Sequence, residues 1–483
     1  MQSDGVTTLQ SSSAPATDYP GGGEPPGRWQ RLTQRDHTRG SLVRSMWVLS
    51  IPLMLSSVLG GLVLQLVDLS FITRLGEDSV TAIVVSNQSL RQVIFMMMMG
   101  AATGAQALLA RNIGAGDRES ADHVAGQVFA LGLGVSLLFA MVGLLYAEPM
   151  LSLMNVSPTV LAIGTPYLRL TFLLSFGFVL HTMFGAIMNG AGDTTTPLVV
   201  ILVSTIVTLL AEWALIFGNL GMPVLGVQGV VWGVLVGQLA SGAIALRIIV
   251  GRDARVRLHV RHLWPDWSVI RQIVSLSWAP AIQMTSQFLV AVFFIRLLGS
   301  MGEQAQAAYS IGLRISMMGP AIAFPLAGAC ATLVGQNLGA GRVDRAWRSI
   351  GVGIACNVAI LWPLAGGLVL FRTEIMELLA TDPEVIRIGS ELFLYQGAGF
   401  CLWAFHFVFM RGLQGAGDMT APMLISIVGA LGVTLPVGFG LAEGLGWGPT
   451  GVFVGTLAGS FVSTTATGLY MATGRWTRRE LRG

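Results

Sequence analysis

Two acidic side chains, Asp68 and Glu212, lie inside long apolar segments of the chain. An ionisable residue at the centre of a membrane span costs about 2.5–3.5 kcal/mol on insertion scales, so it is a functional candidate by default. Asp68 follows Pro52, and Glu212 follows Pro197, by about four helical turns each. At about 1.5 Å per helical residue, both carboxyls lie roughly 22–24 Å into a hydrocarbon core of about 30 Å. Two carboxylates at one depth can share a proton or hold a small cation. The alternative is that each acid satisfies an arginine or a backbone group in helix packing.

Other polar side chains in the apolar segments are candidates for lining a binding cavity. Gln65 lies one turn before Asp68, and Thr208 lies one turn before Glu212. His181 and His406 occupy equivalent places in the two halves of the chain, and each imidazole could relay protons or contact a ligand. Packing against polar neighbours is an equally good explanation for both histidines. The full set of cavity candidates is Gln65, Asn87, Gln88, His181, Thr208, Gln283, Gln287 and His406.

The composition excludes a soluble globular protein. Hydrophobic residues make up 53% of the chain and charged residues 11%, and the mean hydropathy is +0.69. A spanning helix needs about 20 mostly apolar residues. Such windows occur at 46–73, 80–110, 121–147, 161–188, 195–218, 226–250, 273–297, 304–334, 346–370, 391–411, 421–442 and 450–473. The sequence therefore predicts an all-α membrane protein with twelve transmembrane helices.

All basic residues are arginines, and their placement predicts the topology. They cluster outside the windows, in 28–44, 111–118, 252–261, 342–348 and 475–482. These clusters fall on one side if the windows alternate in direction, and the positive-inside rule makes that side cytoplasmic. Both termini are then expected inside the cell, with the chain in the plasma or inner membrane. The pI of about 9.0 reflects these clusters, so no nucleic-acid partner is expected.

The chain repeats itself at a constant offset. Residues 106–118 (QALLARNIGAGDR) return as 331–343 (ATLVGQNLGAGRV), and residues 188–197 (MNGAGDTTTP) return as 413–422 (LQGAGDMTAP). One offset over that length indicates a duplication. Each half contains six spans, so the halves enter the bilayer in the same direction and form a parallel repeat. We expect the loop glycines Gly114, Gly116, Gly190 and Gly192 to serve turns at helix ends.

The duplication divides the chain into two lobes with short additions. The N-lobe covers 46–250 and the C-lobe 273–474, and an Arg-rich cytoplasmic connector at 251–272 joins them. Residues 1–45, rich in Ser, Gly, Pro and Arg, are expected to be a disordered cytoplasmic tail, and 475–483 a second tail. Cys330, Cys356 and Cys401 lie within apolar windows and are expected to be buried, without a disulfide framework.

Four motifs together resemble the multidrug and toxic compound extrusion (MATE) family. They are LQLVDLSFITRLG at 64–76, the GQNLGAG-type loop after the second and eighth spans, the GAGD-x-x-x-P loop after the fourth and tenth spans, and the Gly-Val-x-Gly opening of the sixth span. The resemblance covers nearly all of 46–474. It implies a twelve-helix antiporter that exports organic, often cationic compounds in exchange for H⁺ or Na⁺.

The resemblance also implies roles for particular residues. Asp68, in the sequence VDLSF, matches the family's acid on the first helix, and Glu212 falls where the DinF-like branch carries Asp on the fifth helix. The NorM-like branch adds acids on helices 7 and 10, where this chain has Gln283, Gln287 and His406. The resemblance therefore favours an ion-coupling site in the N-lobe, closer to the DinF-like branch.

The number of oxygen ligands bears on which ion is exchanged. A sodium ion at this site would be held by Asp68, Glu212 and Thr208, and Thr208 stands where an Asn would help to bind Na⁺. Hard cations prefer several oxygen ligands. The few oxygens favour H⁺ as the counter-ion, with Na⁺ as the alternative. No other metal and no cofactor are expected.

Three other functions are alternatives to antiport by this protein. A lipid-linked precursor flippase of the same superfamily would be expected to have extra spans and a strongly cationic cavity, whereas this chain has few intramembrane arginines. A channel is disfavoured by the two-lobe repeat. A membrane-embedded enzyme would need a Ser/His/Asp set, an HExxH motif or a metal cluster, and the spans contain none of these. We therefore predict a monomeric exporter, not an enzyme, that works by alternating access of two lobes.

Overall fold

The computed structural model describes residues 35–88, 90–154, 156–251 and 255–478, without the side chains of residues 62, 88 and 90–94. The described residues are helical and contain no strand. Within these ranges ten helices are long and apolar enough to cross a membrane, and a bent pair adds an eleventh. The helix Leu90–Ala115 takes the twelfth place, because its counterpart in the repeat, Glu303–Gly339, is one of the ten. The predicted all-α fold with twelve membrane helices is confirmed.

The first half of the chain contributes six helical spans. The fourth is bent by 45° between its two parts. The spans are α1 (Leu42–Leu75), α2 (Glu77–Gln88 and Leu90–Ala115), α3 (Arg118–Ser152), α4 (Pro158–Leu173 and Ser175–Ala191), α5 (Thr195–Phe217) and α6 (Val227–Val250).

The second half repeats this order. A short helix, Arg372–Leu379, precedes the tenth span. The spans are α7 (Trp267–Met301), α8 (Glu303–Gly339), α9 (Val343–Leu370), α10 (Pro383–Gly415), α11 (Thr420–Gly444) and α12 (Pro449–Ala472).

Polar caps mark the starts of several spans. The side chains of Ser41, Asp117, Ser157 and Asp266 each accept a hydrogen bond from a backbone N–H two or three residues further on. Such caps satisfy N–H groups that lack partners within the helix. Because each cap stands directly before an apolar run, these helix starts follow from the local sequence.

The first span is not a regular α-helix. Its middle, Val58–Val63, forms a π-helical turn that contains Gly60 and Gly61. Gly60 lies against the end of the Ile201 side chain on α5. π-helical turns inside helices are frequent at functional sites. This turn ends shortly before Asp68.

The two lobes meet closely at one end of the bundle, which we call the Arg-rich face because it carries the arginines of the α2–α3 and α8–α9 loops and of the connector. There α2 and α8 cross through residues that the repeat relates. Gly114 lies against the backbone of Gln336, and Gly339 lies against the backbone of Arg111. Neither position has space for a side chain. Gly114 thus allows two backbones to approach, whereas Gly116 has a φ of 78° and serves the turn that the sequence predicts.

Two side chains from equivalent positions tie the lobes together beside this crossing. Arg111 Nη1 donates a hydrogen bond of 3.3 Å to the carbonyl oxygen of Ala416, at the end of α10. Gln336 Nε2 donates one of 3.1 Å to the carbonyl oxygen of Gly190, at the end of α4. Each lobe therefore satisfies a helix-end carbonyl of the other. The lobes are closed against each other at the Arg-rich face.

Parts of the predicted tails belong to the folded structure. Residues 1–34 and 479–483 lie outside the described residues, but α1 begins at Leu42, inside the predicted tail 1–45. His37 and Trp476 are both fully buried. The ring of Trp476 lies 4.9 Å from that of Trp347, centroid to centroid. Within these two segments His37 and Trp476 are therefore packed against the lobes, although most of residues 35–45 are exposed.

Candidate ion-coupling site

The closest helix packing in the N-lobe is between α5 and α6. The face of α6 toward α5 is built from three glycines spaced four residues apart. Small residues at this spacing let membrane helices approach closely. The glycines Gly229, Gly233 and Gly237 lie against Ile216, Glu212 and Thr208, respectively.

Glu212 is enclosed by this packing. Its side chain has no exposed surface, and neither carboxylate oxygen has a hydrogen-bond partner among the described residues. Gly233 lies directly against the Glu212 side chain and backbone, so α6 covers the acid without contributing a polar group there. A buried carboxylate without such partners is strongly destabilised as an anion. Glu212 therefore requires a proton or a cation.

Asp68 is the acidic neighbour of Glu212. It lies on α1, which packs along α5, and it is half-buried with its Oδ1 atom shielded from solvent. The two carboxyls are close enough for the charge of Asp68 to act on Glu212. Like charges at this range repel, which favours sharing a proton or a cation between them. The structure thus brings together the two acids that the sequence predicts to lie at the same depth in the membrane.

The remaining N-lobe candidates lie in different surroundings. Thr208 is buried, with its hydroxyl against Gly237, whereas Gln65 is exposed on α1. Asn87 Oδ1 accepts a hydrogen bond of 3.5 Å from the hydroxyl of Tyr167 on α4, a residue that the sequence does not single out. The side chain of Gln88 lies outside the described residues.

The histidines and the glutamines of α7 are dispersed. His181 on α4 and His406 on α10 are both half-buried, and His406 Nδ1 is shielded from solvent with no hydrogen-bond partner in the described part of the chain. Gln287 is exposed on α7. Roles for these residues in substrate or proton binding stay predictions.

Gln283 lies in a buried polar network and not on an open surface. Its Nε2 donates hydrogen bonds to Ser426 Oγ at 2.7 Å and to Met410 Sδ at 2.9 Å. Its Oε1 accepts one from Gln414 Nε2 at 3.1 Å. Gln414 in turn binds Arg411, an arginine that the sequence interpretation misses. A signal is available, since Arg411 lies at the end of the apolar window 391–411.

Comparisons with known proteins agree with this architecture. The family model MatE matches residues 52–214 and 280–439, one segment in each lobe. A probable multidrug resistance protein NorM from Thermotoga maritima is 24% identical over 90% of this chain and 93% of its own length. The multidrug resistance protein PmpM from Pseudomonas aeruginosa is 26% identical over 86% of this chain and 88% of its own length.

Solved structures show the same fold. An outward-facing multidrug resistance MATE family transporter superposes with a TM-score of 0.83 at 19% identity and covers 94% of this chain and 100% of its own. A MATE structure in a bent conformation gives a TM-score of 0.84 at 20% identity and covers 93% and 98%. Together with the family match in both lobes, this shows that the chain is an integral membrane protein that belongs to the MATE family of multidrug efflux transporters.

Proposed function

We propose that this protein is an H⁺-coupled antiporter that exports small organic compounds, with Asp68 and Glu212 as its ion-coupling acids. The observation that carries the proposal is the burial of Glu212 without a hydrogen-bond partner among the described residues, within range of the charge of Asp68. An exporter of this kind needs a group that takes up an ion on one side and releases it on the other. A buried acid pair can do this, because its charge state changes the free energy of the surrounding packing.

The topology assigns a direction to the exchange. Under the positive-inside rule the Arg-rich face is cytoplasmic, and both termini lie inside. Closure of the lobes at this face then corresponds to an outward-facing state, with the acid pair in the outer half of the N-lobe. Protonation of the pair from outside removes its negative charge and weakens its hold on a cationic substrate. The π-helical turn of α1 lies between the Arg-rich face and Asp68 and gives this helix a point at which it can bend.

The oxygen count around the acids supports H⁺ over Na⁺. The hydroxyl of Thr208, the third oxygen expected for a sodium site, packs against Gly237 of α6. Sodium prefers several oxygen ligands, whereas a proton needs one or two.

Transport by purified protein in liposomes tests the proposal. An imposed pH gradient and an imposed Na⁺ gradient are applied separately, with a panel of fluorescent organic cations as substrates. We expect uphill substrate movement under the pH gradient alone. Uphill movement under the Na⁺ gradient alone would show that the coupling ion is Na⁺ and not H⁺. Passive equilibration that ignores both gradients would indicate a channel, and transbilayer movement of a lipid-linked phosphate would indicate a flippase.

A further inference from the structure

A half-buried arginine lies in the contact between the two lobes. Arg411 stands one turn before the end of α10 in the C-lobe. Its Nη2 donates a hydrogen bond of 2.8 Å to Gln106 Oε1, and its Nη1 donates one of 3.1 Å to Thr103 Oγ1. Both acceptors belong to α2 of the N-lobe. A further bond of 3.1 Å joins Nη1 to Gln414 Oε1, within α10.

All three of these partners are neutral. Arg411 Nε is shielded from solvent and has no hydrogen-bond partner among the described residues, and Arg411 takes part in none of the ion pairs found there. The carbonyl end of α10 partly compensates the charge. A charge that is partly shielded from water is still costly unless it is paired, and arginines inside membrane proteins normally have a counter-charge or mark a substrate path.

Helix packing does not require this arginine. The repeat places Ala186 of α4 at the position equivalent to Arg411, and Ala186 is buried. The same helix position is thus filled by a small apolar side chain in the N-lobe. The charge at Arg411 is an addition of the C-lobe, made where that lobe touches α2.

The surroundings of Arg411 change when the lobes separate. In the closed arrangement Thr103, Gln106, Ala331 and Gln414 surround the guanidinium and leave no space for a water molecule. Opening at the Arg-rich face withdraws Thr103 and Gln106, since both move with the N-lobe, and leaves the guanidinium with fewer acceptors. Its planar fork of donors then matches a carboxylate, which accepts two parallel hydrogen bonds.

We propose that Arg411 is a specificity-determining residue that binds a carboxylate of the transported molecule when the pathway opens at the Arg-rich face. The substrates would then include zwitterions, whose carboxylate Arg411 binds near the Arg-rich face and whose cationic group the N-lobe acids bind in a later step, deeper in the pathway. This inference rests on the proposed export function and narrows its substrate class. It also gives the incoming molecule a role in opening, because its carboxylate competes with Gln106 and Thr103 for the same donors.

A matched pair of dyes tests the inference. Rhodamine 110 carries a free carboxylate, and rhodamine 123 is its methyl ester, so the two differ at this group alone. Both are offered to purified full-length protein in liposomes under a pH gradient. In Arg411→Gln we expect transport of rhodamine 110 to fall by about tenfold, as for the loss of a charge-assisted bidentate contact, and transport of rhodamine 123 to change by less than about twofold. Arg411→Lys keeps the charge but lacks the planar guanidinium, so it should give an intermediate ratio of rhodamine 110 to rhodamine 123 transport.

Thr103→Val is the matched control. It removes one hydrogen bond that competes for the Arg411 donors and leaves the charge in place, so transport of rhodamine 110 relative to rhodamine 123 should stay at the wild-type value or rise. An equal loss for both dyes in Arg411→Gln and Thr103→Val would overturn the inference and make Arg411 a structural lock of the closed state. Transport of rhodamine 123 with a dye ratio unaffected by Arg411→Gln would overturn it while leaving the export function standing. A wild type that moves neither dye, nor any organic cation, under either gradient would contradict the export function and this inference together.

Discussion

The two lobes share a helix-packing scaffold but differ in the chemistry placed on it. Each has a helix pair joined through glycines four residues apart, and in the C-lobe this pair is α11 and α12. The glycines of α12 correspond in the repeat to those of α6. In the C-lobe, Gly451, Gly455 and Gly459 lie against Ala442, Gly438 and Thr434.

The two lobes differ in the residue that faces the middle glycine. In the N-lobe it is Glu212, opposite Gly233, and in the C-lobe it is Gly438, opposite Gly455. The residue opposite the third glycine is a threonine in both. Close helix approach therefore requires the glycines but not the acid, and the acid is an addition to a scaffold that packs without it.

The irregular helices also differ between the lobes. The N-lobe places its π-helical turn in α1, next to Asp68, and its α5 is regular. The C-lobe has a continuous helix α7 in the position of α1, and its π-helical turns are in α11, at Val428–Thr434 and at Gly440–Gly444. The N-lobe turn thus lies next to an acid inside the span, whereas the C-lobe turns lie in α11, where the second one contains the exposed Glu443 near the helix end.

The strongest test of this difference is the neutralisation of the N-lobe acids. Asp68→Asn mimics a permanently protonated side chain, so it should abolish gradient-driven export while insertion and folding stay intact. Glu212→Gln should have a milder effect, roughly five- to tenfold, because Asp68 remains as a coupling acid. Uptake into liposomes under a pH gradient measures both. Uphill export by Asp68→Asn near the wild-type rate would refute coupling through the N-lobe.

Replacing each of the two middle glycines with alanine distinguishes an effect on helix packing from an effect on ion coupling. Gly233→Ala and Gly455→Ala each force a methyl group against the facing helix and should destabilise the protein by about 1–3 kcal/mol. Only Gly233→Ala presses on an acid, so only this variant should also shift the pH dependence of export. Thermal unfolding in detergent gives the stability, and uptake at several pH values gives the shift. The same shift in both variants would mean that it follows from loosened packing and not from Glu212.

Local sequence is enough to predict the scaffold but not the contacts between distant segments. Twelve apolar windows and the constant offset of the repeat predict the helices, because spanning length and repetition are visible in the sequence itself. The acids stand out because a carboxyl is conspicuous in an apolar run. Thr103 and Gln106 do not, since each looks ordinary in its own segment, and the sequence does not show that they contact Arg411, which lies about 300 residues away. The segment around His37 is predicted as a tail because it has no apolar run, yet it is held by hydrogen bonds from far along the chain.

That segment, residues 35–41, forms a strap across the Arg-rich face. From the N-lobe side, His37 Nε2 lies 3.3 Å from the carbonyl oxygen of Gly192, and Arg255 donates to the carbonyl oxygen of Arg35 at 2.8 Å. From the C-lobe side, Arg345 donates to the carbonyl oxygen of His37 at 3.4 Å. Burial, followed by the charge of Arg255, lowers the pKa of His37 from 6.5 to about 4.

The pKa of His37 predicts a strap that weakens in acid. Above pH 6.5 the imidazole is neutral whether the strap is bound or released, so the strap has its full stability. Between pH 6.5 and 4 only the released strap takes up the proton, and its binding weakens by about tenfold per pH unit. Lowering the pH from 7 to 5.5 should therefore weaken the binding of the strap roughly tenfold. A nitroxide at Arg39→Cys, in a background without other cysteines, reports this as increased mobility, and His37→Gln should remove the pH dependence. Mobility that rises equally in His37→Gln would assign the effect to another group.

The smallest effect is expected for the acids of the C-lobe, and it completes the comparison. Glu391 lies at the end of α10 away from the Arg-rich face, where it accepts a hydrogen bond of 2.6 Å from the hydroxyl of Thr450 and lies 3.9 Å from Arg387. It thus has the partners that Glu212 lacks among the described residues. Glu391→Gln should leave export within about twofold of the wild type and lower stability by less than about 1 kcal/mol, as for the loss of an exposed ion pair. The measurement is uptake under the same pH gradient, with Glu443→Gln as the matched control in α11. If either variant abolishes export at normal expression, the coupling chemistry is not confined to the N-lobe, and the difference between the lobes must lie in substrate binding.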